Sequence, residues 1–284
     1  MIAILGGLGA ATAFAVATLC SSRSTRMIGT SSTVAWVMVV GLVALVPALA
    51  AGPRPGELSG TTLTWVAIGA VASVVGVTLS YGALRLGKVS IVAPIVSTEG
   101  AIAAVLALLA GEPLSAAAAV VLAIIALGVF LSSMQGGDAP VAPRGGGAAR
   151  TALYAVTAAL AFGLSLFAFG RVSGALPLAW IILPARIIGV AVIALPLLVS
   201  GRLRLTRSAL PLVVAGGLCE IFGFAAFTFG ARDGIAVAAV LASQFAAIAA
   251  IVAFVLFGER LRPLQVAGVV TIVAGVTVLS ALQA

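Results

Sequence analysis

Glu99, Arg186 and Glu220 each stand inside a long apolar run, about ten residues from its nearer end, or roughly 15 Å of helix. Glu99 lies in VSIVAPIVSTEGAIAAVLALLA, Arg186 in LPLAWIILPARIIGVAVIALPLLVS and Glu220 in ALPLVVAGGLCEIFGFAAFTFG. A charge at the centre of a membrane helix costs roughly 2.5–3.5 kcal/mol on insertion scales. Three of them are tolerated only if they face one another or a wet cavity. Their types suggest two kinds of chemistry. Arg186 with one acid would form a buried ion pair, a structural lock whose breaking is strongly destabilising. Two acids against one cation leave a carboxyl over, and that carboxyl is free to take up and return a proton. Glu99 is the preferred candidate for this role and Glu220 the second. Arg186 could instead hold a carboxylate while an acid holds an amine, which suits a zwitterion such as an amino acid.

Uncharged polar groups lie at comparable depth: Ser97 and Thr98 beside Glu99, and Ser243 with Gln244. Tyr81, next to Ser80, sits nearer the end of its run. Ser and Thr in membrane helices usually hydrogen-bond to their own backbone or to a neighbouring helix, so these weigh less than the charges. Pro94 and Pro184 interrupt the runs holding Glu99 and Arg186. Each removes a backbone donor and can kink its helix, which suits either a packing kink or a cavity with freed carbonyls. Trp36, Trp65 and Trp180 lie in the outer parts of runs, as in an interfacial belt.

The elements that must position these groups follow from composition. Hydrophobic residues make up 63% of the 284 and charged residues 8%, with no His; the mean hydropathy is +1.32. Soluble domains carry about 25% charged residues, so the chain is all-α and integral to a membrane. Windows of about 20 apolar residues predict ten transmembrane helices, at 2–20, 32–51, 62–84, 89–110, 114–133, 151–170, 176–200, 209–230, 235–257 and 263–282. Strands are excluded as spanning elements because lipid cannot satisfy an open sheet edge. The first run is read as a span and not a secretory signal, because no Lys or Arg precedes it and Leu19-Cys20 is a poor cleavage context.

The net charge of +8 is no nucleic-acid footprint, since the basic residues are scattered singly between apolar runs; no nucleic-acid partner is expected. Cys20 and Cys219 lack metal-ligand spacing and read as small buried hydrophobes. No cofactor and no metal site are predicted.

Residues 134–150, MQGGDAPVAPRGGGAAR, form a flexible Gly/Pro linker between a first repeat (1–133) and a second (151–284). At an offset of 147, Gly76 meets Gly223, Arg85 meets Arg232, Gly87 meets Gly234 and Gly111-Glu112 meets Gly258-Glu259. Leu114 also meets Leu261, and Gly128-Val129 meets Gly275-Val276. A slip of one residue falls near position 100. Matches of scarce residues in one register indicate an internal duplication. Five crossings per copy is odd, so the second copy must thread the bilayer in the opposite sense, giving two inverted-topology five-helix repeats, a plan that recurs in secondary transporters. If the first loop is cytoplasmic, that side gathers Arg23, Arg26, Arg85, Lys88, Arg144, Arg150, Arg202, Arg204, Arg207, Arg260 and Arg262, leaving Arg54, Arg171 and Arg232 opposite. This bias predicts both termini outside.

The pattern resembles the EamA-type family of the drug/metabolite transporter superfamily. The likeness rests on the ten spans, the doubled five-helix unit, the GE-x-L end of the fourth helix (Gly111-Glu112-Pro113-Leu114) and the Gly midway through the fifth (Gly128, Gly275). It implies a multi-pass protein of the plasma membrane, the inner membrane in a bacterium, that moves small metabolites down or against gradients without ATP. Export of amino acids or related compounds is the implied chemistry; proton coupling is the expectation from the spare buried carboxyl, and a monomer is the expected state. The chain departs from the family where Glu99 is followed by Gly100 instead of Pro, and where the first copy has Met38 at the place of Arg186 in the second. An intramembrane enzyme acting on lipid-linked substrate is the alternative, although no polar catalytic cluster is offered for it. A further alternative is a non-transporting membrane assembly subunit, which would leave the midplane charges fully paired and the interior dry.

Overall fold

The computed structural model describes residues 1–56, 58–87, 89–133 and 147–248, with scattered positions after 248. Most of the linker, the Gly258-Glu259 pair and most of the tenth expected span lie outside the described residues. Among the described residues the chain is helical, without strands. Seven helices are long and apolar enough to cross a membrane. Helix α1 is Ile2–Ile28, α2 is Thr30–Ala51 and α3 is Gly60–Leu86. The fourth span is split into α4 (Val89–Val96) and α5 (Glu99–Leu109), and α6 is Ala116–Ser133. Helix α7 is Gly147–Val172. The seventh span runs through α8 (Leu178–Gly189), a π turn (Val190–Ala194) and α9 (Leu195–Val199). Helices α10 (Leu210–Gly230) and α11 (Ile235–Ala242) follow. The fifth and ninth expected spans are met by shorter apolar stretches, Ala116–Gly128 and Ile235–Ile248.

The SSRSTR segment, expected to break the first helix, continues it instead. Ser24 and Thr25 are buried and their hydroxyls bond to the carbonyls of Ser21 and Ser22, so the polar side chains are satisfied inside the helix. The turn waits for Gly29, whose φ of 86° a side chain would disfavour.

Contacts between loops define two ends. At one end the Met1 ammonium approaches Asp233 at 3.4 Å, Arg232 Nε donates to Ser173 O, and Glu112 meets the start of α11. At the other, Arg26 donates to Gly87 O, Trp36 Nε1 to Arg204 O, and the Arg204 amide to Ser32 Oγ. The basic segments around Arg23, Arg26, Arg202, Arg204 and Arg207 gather at this second end.

Helix α1 packs on α10, and α3 on α7. Both contacts depend on small residues, as membrane helices without a hydrophobic drive require close packing. A Cβ on Gly6 would come 2.6 Å from the Cα of Gly230. The ring of Phe14 fills the space over Gly223, and the ring of Phe162 fills that over Gly76. Large apolar side chains such as Leu5, Val43, Leu109 and Val199 point outward, where lipid takes the place of water.

Candidate functional site

Two helix breaks lie at the centre. In the first, the Ser97 amide bonds to Ala93 O at 2.8 Å and the Thr98 amide to Ile95 O at 3.2 Å, and Ser97 Oγ donates to Pro94 O at 2.8 Å. In the second, the Ser243 amide bonds to Ala239 O at 3.0 Å and the Gln244 amide to Leu241 O at 3.2 Å, with Ser243 Oγ donating to Val240 O at 2.8 Å. The helix resumes at Glu99 in one and Phe245 in the other. The separation is 146 residues, the register expected after the one-residue slip. Pro94 lies inside α4, and the bond its missing amide forgoes falls a turn earlier, toward residue 90. At both breaks the serine hydroxyl takes the carbonyl that the amide one residue on would otherwise bond to. The breaks touch, because Gly100 lies against Ser243 and the carbonyl of Ala239, with no room for a side chain.

Beside them is a cavity of about 50 Å³ whose wall includes Glu99, Glu220, Thr18 and Ser80 and five aromatic rings, those of Phe14, Tyr81, Phe162, Phe224 and Phe245. A water needs about 10–15 Å³ on this measure, so the space admits a few waters. A larger solute requires the surrounding helices to part. Both halves of the chain contribute to the wall.

The two acids are held differently. Glu220 Oε2 accepts from Arg186 Nη1 at 2.8 Å, and Glu220 Oε1 accepts from the Tyr81 hydroxyl. Arg186 is fully buried behind Glu220, off the cavity wall, with Nη1 also 3.3 Å from Met38 Sδ and Cζ 5.8 Å from the centre of the Phe224 ring. Its Nε and Nη2 have no partner among the described residues. Glu99 is 5% exposed, opens the first turn of α5 and has no hydrogen-bond or ionic partner among the described residues. An acid in a helix's first turn is favoured by the helix dipole.

The remaining expected residues divide. Tyr81, placed near a span end by the sequence, reaches inward to Glu220. Ser97 and Ser243 are buried and spend their hydroxyls on their own breaks. Gln244 is buried off the cavity wall, with Nε2 unpartnered among the described residues. Thr98 is exposed and bonds to Ile95 O, facing away from the cavity. Sequence reasoning missed the phenylalanines of the wall. One signal was present: Phe14 and Phe162 match at an offset of 148, next to the register of the other repeats.

Comparison with known proteins adds two findings. Residues 1–134 match the model of the EamA-like transporter family. A protein of solved crystal structure aligns over 99% of this chain and 96% of its own, with a TM-score of 0.76 at 18% identity, a likeness of fold that extends past residue 134. No curated protein matches.

Proposed function

We propose that the chain belongs to the EamA-like transporter family, whose model its residues 1–134 match, and that it is a secondary transporter of small metabolites working by alternating access. The observation that carries this reading is the cavity: both halves wall it, two acids reach it, and one of them, Glu99, has no partner among the described residues. A non-transporting assembly subunit would have its buried ionisable groups paired.

The proposed architecture is ten helices in two inverted five-helix repeats, 1–133 and 151–284, joined by the 134–150 linker. Reciprocal packing supports it. Phe14 of the first copy covers Gly223 of the second, and Phe162 of the second covers Gly76 of the first, as two equivalent units exchanging the same contact would do. The matching breaks at 97–98 and 243–244 support it again. Discontinuous helices meeting between repeats recur at transporter binding sites. Loop charge favours an orientation with both termini outside, and the family resemblance favours the plasma membrane and export.

In this reading Glu99 carries the coupling proton, because Glu220 is already engaged. An amino-acid substrate would need its carboxylate to reach Arg186, which stands behind Glu220 in this arrangement. Labelling tests the transporter reading. In a Glu99→Cys variant, membrane-impermeant thiol reagents should reach position 99 from both sides of the membrane in turn. Protection from both sides in a folded protein would overturn it.

A further inference from the structure

Among the described residues, three buried side chains carry formal charge: Glu99, Arg186 and Glu220. Arg186 and Glu220 cancel across 2.8 Å, so among the described residues the remaining ionisable group at the cavity is Glu99. Its carboxyl is 95% buried by exposure, aimed at the cavity and unpartnered among the described residues. Around it stand the rings of Phe14, Phe162, Phe224 and Phe245. Aromatic faces carry negative potential, attract cations strongly when both are desolvated, and repel anions.

We propose that this cavity takes a monovalent organic cation with an apolar or aromatic body, Glu99 supplying the counter-charge and the four phenylalanine rings the walls. The inference rests on the transporter reading and names its substrate class. Among the described residues a substrate carboxylate finds no cation on the wall. Arg186 keeps two donors free, Nε and Nη2, but it is fully buried off the wall, so a zwitterion could reach them only by opening the packing around the ion pair. An amine at Glu99 needs no such opening. Tyr81 is no competing donor, because its hydroxyl is committed to Glu220. A net-neutral assembly of substrate and Glu99 also removes the cost of an isolated charge in apolar surroundings.

The test uses the full chain in lipid nanodiscs and three probes sharing one ring: phenethylammonium, phenylalanine and 3-phenylpropanoate. Thermal stabilisation reports binding, since only ligands that favour the folded form raise the unfolding temperature. Phenethylammonium should bind about tenfold or more tightly than phenylalanine, with no shift from the anion. Glu99→Gln should abolish the ammonium shift. Phe245→Leu keeps the wall apolar and should weaken the ammonium by about threefold to tenfold, which preserves the test if the Glu99 variant folds poorly. Phenylalanine binding as tightly as the amine would overturn the cation class, and so would an ammonium shift undiminished in a folded Glu99→Gln protein. Absence of any shift with all three probes overturns it as well. Labelling at position 99 judges the transporter reading separately, so the inference can fail while that reading stands.

Discussion

Glu99 and Glu220 are the same side chain at the same depth, facing one cavity from opposite halves, yet their surroundings assign them opposite work. Glu220 has a partner on each oxygen, Arg186 on one and Tyr81 on the other. Glu99 has none among the described residues. A buried acid with both oxygens engaged resists change, because moving it strands a cation and a hydroxyl. A buried acid with neither engaged is available to a proton or a solute cation. The difference separates a strut from a carrier on the wall of one cavity.

The largest effect that could break this comparison is on transport. Glu99→Gln should reduce gradient-driven uptake in proteoliposomes to background while changing unfolding stability by no more than about 1 kcal/mol. Undiminished uptake would remove Glu99 from the mechanism and make the two acids equivalent bystanders. Glu220→Ala should act in the other currency. It leaves Arg186 charged and buried without its partner, a loss of about 3–5 kcal/mol in chemical unfolding. An Arg186→Met, Glu220→Leu double variant should regain most of that, because an apolar replacement of a buried pair is often neutral. A single variant as stable as the parent would mean that Glu220 is no strut.

Tyr81→Phe sharpens the picture at lower cost, since it deletes one hydrogen bond to a charged group and should destabilise by about 1–3 kcal/mol. The smallest effect belongs to Glu112, at the end of the fourth span. Its Oε1 accepts the Ala236 amide at 3.2 Å, so the first half's Gly-Glu turn clasps the start of α11 in the second half. Burial pushes this carboxyl above its usual range, against the pull of the Ala236 and Ile235 amides. The folded chain therefore binds this proton more tightly than the unfolded chain. The resulting stabilisation is complete below the unfolded carboxylate's pKa and is lost as pH rises through the raised folded value. Glu112→Gln retains an acceptor for Ala236 and should flatten that slope in unfolding midpoints measured across mildly acidic to neutral pH.

Much of the scaffold was legible in residue order. Long apolar runs cannot remain in water, and a bilayer fixes their length, so seven spans and the ends of α2, of the stretch from α8 to α9, and of α10 follow closely from hydropathy. The break before Glu99 lies in a span that Pro94 marked as able to kink. Its counterpart before Phe245 was not legible, because Ser243 has the same composition as any helix-packing serine, and its hydroxyl breaks the ladder only by its rotamer. The serine-rich end of α1 misled for a related reason: polarity along the chain suggested a loop, whereas burial and local hydrogen bonds kept it helical.

The sequence by itself determined that ionisable groups must meet inside a membrane, because scarce charges in apolar runs have no other tolerable place. It could not determine which acid would hold Arg186. That choice depends on helices brought together from positions 81, 186 and 220, and pattern along a chain carries no information about which faces turn toward each other across a bundle. Only the packing of α3, α8 and α10 decided that Glu220 is engaged, and so left Glu99 facing a ring-lined space without a partner among the described residues.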